Sequence, residues 1–402
     1  MVEAMLDWLR QHHPDGVFIQ VEGETRTYGE TAAAVEAREV TGTVIIRPWP
    51  FFSSVVDLLA AMSKGTAVIV ADDTADAGAI DPAGAASVIF TSGSSGGPKG
   101  VRLTRDNWAA AADASAEHIG HGGDDTWLLA MPLHHVAGLS IVLRSARAGG
   151  AIRLLPGFDP VTFARELRQG VTVASVVPTM LTRLLDADAG PYDGLRAVLV
   201  GGGPIPDDLL DRASAAGLPV LPTYGMTETC GQVATLRPDS KLENRVHPLP
   251  GVEVRIEPDG RIAVRGPMVS PGYVGAPDRS PAEWFVTPDL GELDHGGALR
   301  VKGRADTLIV SGGENIDPGM VEAALTRITG VEAALVIGIP SREWGMEAAC
   351  LYVGEANPVR IESQLRDRLP GFMIPKRWMR VASLPLTDMG KPDRVAAARR
   401  FI

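Results

Sequence analysis

The residues best suited to chemistry in this 402-residue chain open with the stretch Thr91 to Gly100, TSGSSGGPKG. Small hydroxyl side chains and four glycines let the backbone curl its N–H groups around an anion, and Lys99 adds a point charge to the same anion. That composition describes a phosphate cradle. It departs from the GxxxxGK[ST] loop, because Pro98 precedes Lys99 and Gly100 follows it, which argues against a P-loop kinase. A second cluster lies in LPTYGMTETCG, Leu221 to Gly231: Tyr224 offers a ring face for a purine, Thr227 a hydroxyl for a phosphate oxygen, and Glu228 a hard carboxylate suited to Mg2+. GGGPIP, Gly201 to Pro206, lets a flat ligand approach the backbone closely.

Each of these has a blander reading. A Gly/Ser linker, a tight turn after a strand and a Tyr-Gly turn have the same compositions. In MPLHHVAGLSIVLRS, His134 and His135 also suit a solvated helix N-terminus, and Arg144 a surface ion pair. Lys391, in a Gly-Lys turn near the end of the chain, reads by itself as one more surface lysine.

The flanking elements decide some of this. A β-branched run, Ala85 to Phe90, enters the phosphate loop and a second apolar run, Val101 to Leu103, leaves it, as for a connection between two strands. Upstream, VFIQVEG and TRTYGE predict a hairpin, Glu30 to Glu39 a helix, and Val44–Ile46, Val55–Met62 and Ala67–Val70 a strand, a helix and a strand. Downstream, Asn107 to His118 predicts a helix, and strand-like and helical segments alternate from Ala151 to Val200. That β-α rhythm implies a largely parallel sheet covered on both faces, with ligands at the carboxyl ends of its strands, where Gly201–Gly203 fall. VEVRIEPDGRIAVRG predicts a hairpin of a smaller β subdomain. Beyond Asp306 the pattern changes to a small α+β unit, with helices from about Pro318 to Thr329 and Ile361 to Leu369.

TSGSSGGPKGV resembles the phosphate loop of the adenylate-forming superfamily, which contains acyl- and aryl-CoA synthetases, luciferase and peptide-synthetase adenylation domains. The further motifs follow in that family's order across most of the chain. The resemblance implies an α/β plus α+β fold: a large N-terminal domain, 1–305, of parallel and mixed sheets covered by helices with a small β subdomain, and a small mobile C-terminal α+β domain, 306–402. It implies ATP, Mg2+ and CoA as ligands. By motif match, Thr91, Ser92, Gly93, Ser94, Ser95 and Lys99 hold phosphates, and Gly201, Gly202, Gly203 and Tyr224 hold the adenine. Asp289 in WFVTPDLGELD and Arg304 in KGRADTLIV hold the ribose, Glu228 ligates the metal and Thr227 touches the α-phosphate. His135 lies at the acyl carboxylate, Gly225 is among the substrate-binding residues, Gly312 and Gly313 take pantetheine, and Lys391 is the catalytic lysine, carried by a domain that rotates about Asp306 between the two half-reactions. PLHHVAGLSIVLRS looks most like o-succinylbenzoate–CoA ligases of menaquinone biosynthesis, in which a basic residue at the Arg144 position accompanies a dicarboxylate. Another aryl- or acyl-CoA synthetase would share every ATP residue, and a non-catalytic nucleotide-binding module remains an alternative. A peptide-synthetase domain would usually carry an Asp near His134-His135, and this chain does not.

Bulk properties are those of an ordinary soluble globular protein. The chain is 45% apolar and 22% charged, and its formal charge is −11, from 38 Lys+Arg against 49 Asp+Glu. That disfavours a nucleic-acid surface and leaves anionic ligands to local cations, of which Lys99, Arg144, Arg304 and Lys391 are the candidates. Cys230 and Cys350 lie too far apart in sequence for metal-ligand spacing, and no apolar run approaches the length of a membrane span, so a cytoplasmic protein is expected. The stretch before the phosphate loop is short for the family. Trimmed elements are expected there, with a homodimer covering surface that a larger monomer would bury itself.

Overall fold

The computed structural model describes the chain except residues 1–4, 22, 41–43, 47–49, 71–83, 92–98, 189, 387–391 and 402, and the side chains at 70, 306 and 315. Two compact units result, one of residues 1–287 and 292–301, the other of 288–291 and 302–402. The division therefore differs from a cut at 305: Asp289 and Arg304 both fall in the second unit.

Among the described residues the first unit contains a nine-stranded sheet. Its order is His247–Pro248, Ala234–Thr235, Val220–Tyr224, Ala197–Val200, Val173–Val176, Thr126–Leu129, Ala151–Leu154, Val17–Val21 and Glu24–Thr27. The run from Val220–Tyr224 to Val17–Val21 is parallel, and antiparallel strands close both edges. Central strands such as Val173–Val176 and Ala197–Val200 are buried at every position, as expected where helices cover both faces. The helix Val136–Ala148 shows why sequence and core agree here: Leu139, Ile141, Val142, Leu143 and Ala146 all lie in the main core cluster. Thr104 starts the helix Arg105–Ile119 with a capping box, its Oγ1 accepting from the Asn107 N–H while Asn107 Oδ1 accepts from the Thr104 N–H.

A second sheet runs Gly272–Tyr273, Lys99–Leu103, Ser87–Thr91, Val68–Val70, Val44–Ile46. Within it Val44–Ile46 pairs in parallel with Val68–Val70, and Val68–Val70 with Ser87–Thr91. The predicted hairpin Glu253–Ile256 with Arg261–Arg265 forms, register Val254 to Val264, in a four-stranded sheet whose other strands are Phe285–Leu293 and Leu299–Arg304.

In the second unit Val331–Ser341 and Gly345–Gly354 form a long antiparallel pair, with Ile309–Ser311 and Arg377–Arg380 flanking Gly345–Gly354. Side chains alternate with period two. Val336, Ala348, Cys350 and Tyr352 pack with the helices Pro318–Thr326 and Pro358–Arg366, while Leu335, Ile337, Ala349 and Leu351 pack with Ala397 of the helix Arg394–Ala398. Both faces are covered, which is why these strands read as nearly continuous apolar runs.

Candidate functional site

The phosphate-loop hairpin is held at its base. Thr91 pairs with Lys99 across the strands Ser87–Thr91 and Lys99–Leu103, and Thr91 Oγ1 donates to the Lys99 carbonyl at 3.4 Å. Ser92, Gly93, Ser94 and Ser95 lie outside the described residues. Lys99 is exposed, and its Nζ lies 5.9 Å from the centroid of the Tyr273 ring.

Parallel pairing of Val198 with Val220 and Val200 with Pro222 brings Gly201–Gly203 and the segment from Tyr224 to the carboxyl ends of adjacent strands. Ligands bind at that edge of such sheets. Tyr224 is half-buried, its O–H 3.4 Å from Thr287 Oγ1. The chain then folds back on itself. At Gly225 a Cβ would stand 2.5 Å from the Gly231 carbonyl oxygen, so no larger residue fits. Thr227–Thr229 forms a single 3-10 turn, closed by the Thr229 hydroxyl on Met226, and Cys230 follows at φ 52, the left-handed region that non-glycine residues rarely enter. Glu228 projects from this turn. Its Oε1 accepts from the Tyr273 hydroxyl at 2.9 Å, and its backbone carbonyl accepts from the Ser270 N–H at 2.7 Å. Burial, and then the Glu228 charge, push the Tyr273 phenol well above its ordinary pKa, so it remains a donor. Sequence reading missed Tyr273. Its only local signal is the lone aromatic in SPGYVG.

Glu228 Oε2 carries no hydrogen bond among the described residues. One hard carboxylate oxygen is a donor set that fits Mg2+, which takes one or two carboxylates together with substrate phosphate oxygens. Among the described residues no group of three acidic, His or Cys side chains forms a metal cage.

His135 is the N-cap residue of the helix Val136–Ala148, and its ring stands 3.8 Å, centroid to centroid, from that of His134. Arg144, two and a half turns along, is not on the surface. It is 4% exposed, its Nη2 makes a long 3.5 Å contact with the Cys230 carbonyl, and its guanidinium lies 5.8 Å from the Trp127 ring. Its Nε is buried without a partner, and among the described residues no carboxylate pairs with it. The surface-ion-pair reading is thereby excluded. Burial pulls the guanidinium pKa down to about 10, and burial raises the Cys230 thiol, so that neighbour is a neutral SH and supplies no counter-charge.

Beside Arg144 lies His121, 6% exposed and edge-on to Trp127 at 5.1 Å. Neither ring nitrogen makes a hydrogen bond of good geometry, although the Arg144 carbonyl is near, and the pKa falls to about 4, through burial first and the Arg144 charge second. Below pH 6.5 the unfolded chain therefore takes up a proton that the folded chain refuses, and stability falls as pH drops toward 4. Between pH 7 and pH 5 the expected loss from this group is about 2 kcal/mol. Urea midpoints at the two pH values should show it, and His121→Met should flatten that part of the slope. An unchanged slope in the variant would assign the acid sensitivity elsewhere.

In the second unit Asp289 Oδ1 and Arg304 Nη1 stand 3.9 Å apart, so the two are brought together. Gly312 and Gly313 both have positive φ, 59° and 88°. The Gly312 N–H donates to the Trp344 carbonyl at 3.0 Å, and a Cβ there would meet the indole at 2.6 Å. Lys391 lies outside the described residues. No described helix is long and apolar enough to cross a membrane.

The profile of the family described as AMP-binding enzyme matches residues 17–274, and that of its C-terminal domain matches 320–391. The chain belongs to the AMP-binding enzyme family. Within that family it is similar to the 2-succinylbenzoate–CoA ligase of Enterococcus faecalis, 38% identical over 76% of this chain and 67% of the relative. The corresponding ligase of Listeria monocytogenes is 38% identical over 77% of this chain and 69% of the relative. Among solved structures, o-succinylbenzoate CoA synthetase from Bacillus subtilis in complex with the acyl-adenylate intermediate matches with a TM-score of 0.88 and 28% identity, over 98% of both chains. The same enzyme with ATP and a magnesium ion matches with a TM-score of 0.84 and 27% identity, over 97% of this chain and 98% of that one. An AMP-binding enzyme of the adenylate-forming superfamily accounts for the two-unit architecture, with its mixed sheets and helices.

Proposed function

We propose that this AMP-binding enzyme is an acid–CoA ligase that converts o-succinylbenzoate to o-succinylbenzoyl-CoA through an acyl-adenylate, releasing AMP and pyrophosphate, in menaquinone biosynthesis. The observation that carries the choice of acid is Arg144. A guanidinium buried among apolar side chains without a carboxylate is costly, and a substrate bringing a second, unreacting carboxylate supplies the missing partner. Relatives named for this acid support the reading.

The first step joins the substrate carboxylate oxygen to the α-phosphorus of ATP and breaks the bond to pyrophosphate. A carboxylate oxygen is a poor leaving group until it is phosphorylated, so this step opens the acyl carbon to a thiol. The second step joins the CoA sulfur, as thiolate, to that carbon and expels AMP. Neither requires a covalent enzyme intermediate, so the protein supplies position and charge. Thr91 to Lys99, with Ser92, Gly93, Ser94 and Ser95 between, hold the phosphates. Thr227 meets the α-phosphate, Gly201–Gly203 and Tyr224 take the adenine, and Asp289 with Arg304 takes the ribose. His135 faces the reacting carboxylate, Gly225 lines the substrate, and Gly312 and Gly313 take the pantetheine chain. Glu228 would hold Mg2+, which when bound would neutralise phosphate charge. Lys391 bridges the nucleophilic oxygen and the α-phosphate, on a domain that begins near Asp306.

ATP and CoA are cytoplasmic metabolites, and we place the enzyme there. Ile45 and Phe51, 56% and 50% exposed in the short early region, suit a homodimer face, and a monomer in sedimentation would remove that part. The substrate is tested by pyrophosphate release with o-succinylbenzoate, benzoate and a medium-chain fatty acid. The dicarboxylate should give the highest kcat/KM by about a hundredfold or more, the value of a buried charge pair. Equal turnover of benzoate would point to another aryl-CoA synthetase.

A further inference from the structure

One segment grips both halves of the nucleotide machinery in the first unit. Residues Ser270 to Tyr273, in SPGYVG, run antiparallel to the strand that leaves the phosphate loop, Gly272 opposite Arg102 and Tyr273 opposite Val101. The Ser270 hydroxyl donates to the Arg102 carbonyl at 2.6 Å and accepts from the Gly272 N–H at 3.0 Å, and the Val274 N–H donates to the Gly100 carbonyl at 2.8 Å. That fixes the segment to the loop's exit strand.

The same segment holds Glu228 at two points, 45 positions back in sequence from Tyr273. The Ser270 N–H donates to the Glu228 carbonyl at 2.7 Å, and the Tyr273 hydroxyl donates to Glu228 Oε1 at 2.9 Å. A hydrogen bond to a carboxylate is charge-assisted and directional, so it selects one rotamer of a side chain that would otherwise sample several. With Oε1 engaged, Oε2 is the oxygen left to ligate. The Tyr273 ring meanwhile presents a face 5.9 Å from the Lys99 ammonium, at the edge of cation–π range.

We propose that Tyr273 is the positioning residue that fixes the Glu228 carboxylate for Mg2+·ATP and registers it against Lys99 and the strand Lys99–Leu103. The inference rests on the ATP-dependent reading above. It makes the hydroxyl responsible for metal-dependent nucleotide binding and leaves metal-free binding to other groups.

The test is calorimetric titration of the full chain with ATP, once with excess Mg2+ and once with a chelator, in wild type, Tyr273→Phe, Glu228→Gln and the double variant. Tyr273→Phe keeps the ring and the strand pairing, so its melting temperature should stay close to that of wild type. Its affinity for Mg2+·ATP should fall by roughly tenfold, the effect of losing one hydrogen bond to a charged group, while metal-free affinity is unchanged. In the Glu228→Gln background the same substitution should cost far less, since its effect passes through the carboxylate. Wild-type affinity for Mg2+·ATP in Tyr273→Phe would overturn the proposal. Equal weakening with and without the metal, or full additivity in the double variant, would also overturn it. Absence of ATP binding in wild type itself would instead remove the ligase reading, so the two failures are distinguishable.

Discussion

Arg144→Met is expected to make the unliganded chain more stable and, in the same change, to abolish its preference for a dicarboxylate. The guanidinium is 4% exposed, has an orphan Nε and a 3.5 Å carbonyl contact, and no acidic side chain pairs with it among the described residues. Its pKa, lowered to about 10 by burial, shows which way the environment pushes. A residue of similar length without charge removes that desolvation cost, and replacements of buried charges by apolar side chains gain about 1–4 kcal/mol. With o-succinylbenzoate bound, the sign reverses. The variant then leaves a substrate carboxylate buried without a cation, at about 3–5 kcal/mol, a factor of roughly 100 to 1,000 or more in kcat/KM. Benzoate, which lacks the second carboxylate, should be turned over by wild type and variant alike. Thermal unfolding without ligand and pyrophosphate release with the two acids measure both halves. A variant that melts lower and still favours o-succinylbenzoate would make Arg144 a structural residue.

Lys391→Ala is expected to separate the two half-reactions. Lys391 is assigned to the charge that develops on the nucleophilic oxygen and the α-phosphate, and removing one such stabilising group costs about 100- to 1,000-fold. Thioester formation from presynthesised o-succinylbenzoyl-adenylate does not pass through that charge, so it should fall by no more than about threefold, within the noise of small packing changes. Rapid-quench measurements of each step, with the adenylate supplied in one arm and ATP plus acid in the other, read the two rates directly. Equal slowing in both arms would contradict a lysine used in adenylation alone, and with it the two-conformation scheme.

Much of the framework was legible because its signals are local. The runs on either side of TSGSSGGPKG required strands, and the structure pairs Thr91 with Lys99 at the foot of that loop. The Pro258-Asp259-Gly260 turn required the hairpin that forms around it. Other features were hidden for physical reasons. Phe285–Leu293 carries Pro288 and Gly291, which weaken any strand signal, yet it is a nine-residue strand in the structure. Because 288–291 group with residues beyond 301, the boundary between the units is not a single position, and no one-dimensional change of composition can show that. The helix Pro318–Thr326 stops short of Thr329, where the turns Ile328 to Leu325 and Val331 to Ile328 take over.

For the site, residue type was readable and environment was not. By residue type Arg144 suited a surface ion pair better than a pocket, and the apolar run Ile141, Val142 and Leu143 immediately before it belongs to a helix that the structure buries. The left-handed Cys230, which turns its carbonyl toward Arg144, has no sequence mark, since φ above zero is expected of glycine or asparagine. Tyr273 and Glu228 are 45 positions apart in sequence and meet through a long-range contact, which leaves no periodic trace.

The account stands on adenylation of o-succinylbenzoate by this chain. The most direct measurement is mass spectrometry of the products formed from ATP, Mg2+ and o-succinylbenzoate when CoA is withheld. The account predicts pyrophosphate together with o-succinylbenzoyl-adenylate, which disappears into thioester and AMP once CoA is added. ADP and phosphate as products, or an adenylate formed from benzoate and not from o-succinylbenzoate, would contradict it.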